Sequence, residues 1–136
     1  MSDEEFLAAL ESCSLGERDF GHTAHVRAAY LYLRPGDFAE ALARIRRAIR
    51  AYAASLGKAD RYHETITVAY LALIGQKLYE RGDGGGWERF SQANPELLQR
   101  DLLLSFYPRT QLESELARQI FLLPRSSAIV TPCARV

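Results

Sequence analysis

Residues 37–57 read DFAEALARIRRAIRAYAASLG, and this stretch decides the fold class. Phe38, Leu42, Ile45, Ile49, Tyr52 and Leu56 follow one another at alternating steps of three and four. That spacing lays apolar side chains along one face of an α-helix. Asp37 and Glu40 supply a capping box at its start, and Gly57 supplies the stop. Arg44, Arg46, Arg47 and Arg50 flank the stripe, where long cations cover the edges of a core.

Helical patterns continue on both sides. Upstream, residues 21–33 place His22, His25, Val26, Ala29, Tyr30 and Leu33 on one face and end before Pro35-Gly36. Ser2 and Glu5 form a second capping box ahead of Phe6, Leu7 and Leu10, which predicts a first helix up to Cys13. Downstream, a helix is expected from about Arg61 to Arg81, carrying His63, Ile66, Tyr70 and Leu73 and ending at the glycine run 82–86. A glycine run without a flanking motif reads as a connector. A short turn of helix is expected at Trp87–Phe90. Another helix should start at Asn94-Pro95 with Leu97, Leu98 and Leu102. A last one, capped by Thr110 and Glu113, should carry Leu112, Leu116 and Ile120 and stop before Pro124. β-branched residues are scarce and no run alternates with period two, so the expected fold is all-α. It is a single-domain bundle of about five to six helices over residues 1–124, with an irregular tail over 125–136. Helices two to four form its antiparallel centre.

Composition sets the outer bounds. The 136 residues suffice for one packed core, and 48% apolar with 25% charged residues is a globular balance. Seventeen basic residues offset seventeen acidic ones, so no global field draws the chain onto nucleic acid or an anionic membrane. The longest apolar run, Ile66 to Ile74, is far short of a bilayer span. The acidic start, Met1 to Glu5, is unlike a secretory signal. Cys13 and Cys133 have no C-x-x-C partner. The expectation is a cytoplasmic protein with reduced thiols that binds neither nucleic acid nor membrane. Gly57-Lys58-Ala59 lacks the remaining elements of a P-loop, so nucleotide binding is not indicated.

The three histidines, His22, His25 and His63, all fall near helix starts on otherwise apolar stripes. His22 and His25 are three apart, so their rings project from adjacent turns of one face and can converge on an ion. If helices two, three and four run up, down and up, His63 comes to the same end of the bundle. The positive end of a helix disfavours imidazolium and favours the neutral ring that binds metal or acts as a base. The expectation is therefore a divalent transition metal (zinc, iron or copper) on His22, His25 and His63 with an open coordination position. Glu64 is the candidate general acid/base, although it points about 100° around the helix from His63. Glu17, Asp19, Cys13, Thr65 and Thr67 are the other groups that can approach. The resulting function is a hydrolytic or oxidative metal-dependent enzyme acting on a small organic molecule.

Three other readings compete. The histidines can serve as metal-free acid/base or ligand-binding groups. They can also be structural, donating to backbone carbonyls or capping helices. The chain can then be a non-catalytic helical module that binds a hydrophobic ligand or a partner protein. Tyr30, Tyr32, Tyr52, Tyr62 and Tyr70 can line a pocket or pack the core. The run Leu102, Leu103, Leu104, Phe106 and Tyr107 exceeds what one helix face buries. Either two of these residues face another subunit, as in a homodimer, or a lid, or the chain leaves the helix at Ser105 and wraps the core up to Pro108.

The segments FGHTAHVR at 20–27 and YHETIT at 62–67, and more weakly LESELAR at 112–118, resemble a group of small bacterial helical proteins with paired F-x-H-x-x-H-V and Y-H-E-T-x-T motifs. The resemblance covers most of helices two to six. It implies the same three histidines and attaches no reaction to them. Those proteins continue with proline-aspartate and a leucine-proline tail where this chain reads Pro124-Arg125-Ser126.

Overall fold

Seven α-helices and four short 3-10 turns make up residues 1–125, the part of the chain described in this computed structural model, and no strand occurs among them. The helices are α1 (Asp3–Glu11), α2 (His22–Leu33), α3 (Phe38–Ser55), α4 (Glu64–Arg81), α5 (Trp87–Ala93), α6 (Arg109–Leu112) and α7 (Glu115–Gln119). The fold is an all-α bundle. No helix among the described residues is long and apolar enough to cross a membrane. The tail beyond Arg125, including Cys133, lies outside the described residues.

The four N-terminal helices follow the sequence pattern closely. Both halves of the Ser2/Glu5 capping box form at the start of α1, which buries Phe6 and Leu10. In α3 the Asp37 carboxylate accepts from the Ala39 N–H at 3.2 Å, and Glu40 contributes no reciprocal bond. α3 buries Ala41, Ile45, Ala48 and Tyr52, while Phe38 and Leu56 at its ends stay exposed. α2 is the central helix: every residue from Ala28 to Leu33 is buried, because α3 and α4 pack on two of its sides and α5 on a third. α4 starts later than its apolar stripe suggests. Residues 59–61 form a 3-10 turn and His63 is the N-cap of α4, so His63 stands at the helix entrance rather than on its stripe.

The second half departs from the expected helices. Asn94 does not cap the segment that follows it. It is buried and closes α5, its Nδ2 donating to the Phe90 carbonyl and its Oδ1 accepting from Arg81. In place of one helix from Asn94, the chain makes 3-10 turns at Pro95–Leu98 and Leu102–Ser105. Leu103 and Tyr107 turn inward, Leu102 and Leu104 are half-buried, and Phe106 is exposed, so the chain wraps the core instead of presenting one apolar helix face. The expected last helix is broken in two. Ser114, and not Thr110, is the cap, its hydroxyl accepting from the Ala117 N–H at 3.1 Å.

After α7, residues 120–125 run along the bundle as a strap held by side chains. Thr65, fully buried, donates to the Ile120 carbonyl at 2.8 Å and accepts from the Leu122 N–H at 3.1 Å. Tyr107 donates to the Leu122 carbonyl, and the Gln111 amide donates to the Leu123 carbonyl and accepts from the Arg125 N–H. One hydroxyl on α4 thus satisfies two backbone groups of the strap. Thr65→Val keeps the shape and removes both bonds, with an expected cost of about 1–3 kcal/mol. Hydrogen exchange should quicken at Leu122 and leave the N–H groups of α2 slow. Unchanged exchange at Leu122 would mean that Thr65 does not hold the strap.

Candidate functional site

A cavity of about 870 Å³ opens at the end of the bundle where α2 and α4 begin. Its floor is aliphatic: Val26 and Ala29 from α2, Ile45 and Ile49 from α3, and Leu71 and Ile74 from α4. His22, His25 and His63 all line it. The parallel course of α2 and α4, imposed by the intervening α3, brings their N-terminal histidines to this one end.

Each ring is fixed by a backbone carbonyl. Because a carbonyl only accepts, the bonded ring nitrogen carries the proton. His25 Nδ1 donates to the Gly21 carbonyl at 2.8 Å, which leaves Nε2 with its lone pair in the neutral ring. His22 Nε2 donates to the Leu97 carbonyl at 3.1 Å, which leaves Nδ1. His63 is occupied at both nitrogens: Nε2 donates to the Leu112 carbonyl at 2.7 Å, and Nδ1 accepts the Ile66 N–H at 3.1 Å. His63 is thus the helix cap of α4 and the clamp on α6. Phe20 stacks on the His25 ring with centroids 3.9 Å apart, and Tyr70 meets His22 edge-on at 4.9 Å.

Burial favours the neutral form of His25 and His63. The His25 pKa lies below its ordinary value of 6.5, chiefly through desolvation and against the opposing pull of the Gly21 carbonyl, with neighbouring His22 adding to the lowering. His63 is lowered in the same sense by desolvation, opposed by its bond to Leu112, with Arg118 adding to the lowering.

The other expected groups fall elsewhere. Glu64 does not line the cavity. Its Oε1 accepts from Arg46 Nε at 2.9 Å and from the Tyr62 hydroxyl at 2.7 Å, so it joins α4 to α3. The Tyr62 hydroxyl is pushed up to about 12 by burial and by that carboxylate. Glu17 pairs with Lys58, and Asp19 borders a second, smaller cavity. Cys13 is a free thiol at the end of α1, partly buried against the core and away from both cavities. Thr67 lines the large cavity, but its hydroxyl donates to the His63 carbonyl at 2.9 Å. Among the described residues, no group of three or more His, Cys, Asp or Glu side chains is arranged to hold a metal ion.

The polar rim was not legible from periodicity. Arg61, Arg100, Arg109 and Arg118 line the cavity together with Asp101 and Glu113. They come from turns and from short α6 and α7, where no repeating pattern marks the inward residue. Arg109 pairs with Glu113 at 3.6 Å and Arg118 with Glu115 at 3.7 Å. Arg61 and Arg100 make no ion pair among the described residues. Comparison with protein-family models, curated proteins and solved structures finds no match for this chain.

Proposed function

We propose that the protein binds a small organic molecule in the three-histidine cavity and that His25 and His22 serve it through the ring nitrogens their backbone bonds leave free, exchanging protons or hydrogen bonds at Nε2 of His25 and Nδ1 of His22. The observation that carries this reading is a fixed tautomer beside an unused nitrogen on each ring: Nδ1–H of His25 on Gly21 and Nε2–H of His22 on Leu97. An imidazole anchored through one N–H presents its other nitrogen in one direction, which is how a general base is oriented. A cavity of about 870 Å³ with an aliphatic floor and a few polar groups is in the range that takes small ligands. Glu64, held by Arg46 and Tyr62, has no proton-transfer role in this reading.

Diethyl pyrocarbonate, which acylates an imidazole nitrogen through its free lone pair, tests the assignment. Modification is expected at His22 and His25 in the folded protein, with His63 spared. Because the His25 pKa is held below 6.5, its reaction should persist at pH values where an ordinary histidine is already protonated. Modification of His63 as fast as the other two, or protection of His22 and His25 that a chelator does not relieve, would overturn the proposal.

A metal-dependent enzyme is the second reading, favoured by the two unused nitrogens on adjacent turns of α2. Zinc, iron or copper on His22 Nδ1 and His25 Nε2 would shield both from the reagent until a chelator removed it. His63 joins such a set only by giving up the Ile66 cap or the Leu112 clamp.

A further inference from the structure

We infer that the ligand of this cavity is a small amphipathic anion, an apolar body ending in one carboxylate or similar oxyanion, with its head group at Arg100 and the start of α2. The inference rests on the binding reading above and adds the chemical class. Its first support is the charge of the rim. Of the acids there, Glu113 is already paired with Arg109, whereas Arg100, exposed to solvent, makes no ion pair among the described residues. Asp101 offsets part of the positive charge, and Arg61 adds to it.

The second support is where Arg100 stands. Gly21, His22 and Arg100 border both the large cavity and the smaller one of about 730 Å³, so they mark the seam between the two. At that seam α2 begins with Gly21 as its N-cap and has no side-chain cap. The N–H groups of His22, Thr23 and Ala24 have no acceptor among the described residues, and the first helical bond is His25 N–H to Gly21. Orphan donors at the positive end of a helix and a solvent-exposed, unpaired guanidinium therefore meet at one border. Arg18 and Arg27 lie on the smaller cavity as well, with Asp19 as the opposing acid and Arg27 paired with Asp3 at 2.8 Å. The aliphatic floor begins at Val26, one helical turn past His22, and that places the apolar body beyond the head group.

The test is competition against a neutral apolar fluorophore, N-phenyl-1-naphthylamine, with decanoate, decanol and decylammonium as rivals at pH 7.5. Decanoate should displace the probe at a concentration about tenfold or more below decanol, as a charge-assisted hydrogen bond implies, and decylammonium should be the weakest. Arg100→Gln should bring decanoate to within about threefold of decanol while leaving decanol unchanged, and Arg100→Lys should restore part of the preference. Equal displacement by decanoate and decanol in the wild type would overturn the inference and leave the binding reading standing. A preference erased by Arg61→Gln but not by Arg100→Gln would overturn the placement of the head group. Failure of the probe to bind saturably to the folded protein would overturn both readings.

Discussion

Replacing Phe90 by alanine is expected to lower the unfolding free energy by about 3–5 kcal/mol, the largest effect of any single truncation considered. Phe90 is 1% exposed, and its ring lies 4.6 Å from that of Tyr30, with Trp87 completing a three-ring cluster at 5.6 Å from Tyr30 and 6.5 Å from Phe90. The Phe90 backbone, which the substitution leaves in place, also sits close under the glycine loop. Gly84 sits at φ 73°, and a Cβ there would come within 3.0 Å of the Phe90 nitrogen. Tyr30 donates from its hydroxyl to the Asp83 carbonyl at 2.8 Å, so the same aromatic pair holds both the core of α2 and the turn between α4 and α5. At roughly 3–5 °C per kcal/mol for a domain of this size, the midpoint should fall by roughly 10–25 °C. Phe106→Ala, at a site 48% exposed, is the control and should shift it far less. A denaturant titration showing less than about 1 kcal/mol for Phe90→Ala would contradict the packing of α5 against α2.

His63→Ala should cost about 2–3 kcal/mol, because one substitution removes the cap on α4 and leaves the Leu112 carbonyl without its donor. His63→Asn should recover the cap, since its side-chain oxygen can accept the Ile66 N–H. The pH dependence carries a definite sign. Burial lowers the His63 pKa below 6.5, so between that folded value and 6.5 the unfolded chain holds more protons. Stability from the neutral ring is fully present above pH 6.5 and is lost as the pH falls from there through the folded pKa. Thermal melts from pH 7.5 downward should therefore drop more steeply in the wild type than in His63→Ala. A chelator separates the two readings of this residue. The capping role predicts the same loss with and without chelator, whereas a metal bound through His63 predicts that chelator lowers the wild type toward the variant. The second outcome would return His63 to the ligand set.

The elements a sequence displays are those whose burial repeats along the chain. α1 and α3 are legible because each buries one stripe over two or more turns, and a regular helix writes that demand into the sequence at steps of three and four, whereas α2 shows a stripe although it is buried on every side from Ala28 to Leu33. Ser2, Asp37 and Gly57 announced their boundaries through short-range hydrogen bonding and positive φ, which need no tertiary partner. The residues after Asn94 carry as many leucines, but turns of three or four residues have no period to display. The same side chains therefore suggested one helix where the chain makes two 3-10 turns. Asn94 looked like a cap because caps are local. It became a buried brace because Arg81, thirteen residues earlier, reaches it.

The histidines divide along the same line. A spacing of three puts His22 and His25 on one helix face, and short connections that run helices two to four up, down and up bring His63 to the same end of the bundle. What each ring does there depends on partners that packing supplies from far along the chain. His22 finds the carbonyl of Leu97, 75 residues away, and His63 that of Leu112, 49 residues away, and these distant acceptors set the tautomers and the free nitrogens. Helix period and capping act over a few residues and are written in the chain, whereas hydrogen-bond partners and the arginine rim depend on irregular turns whose course is fixed only when the whole core packs.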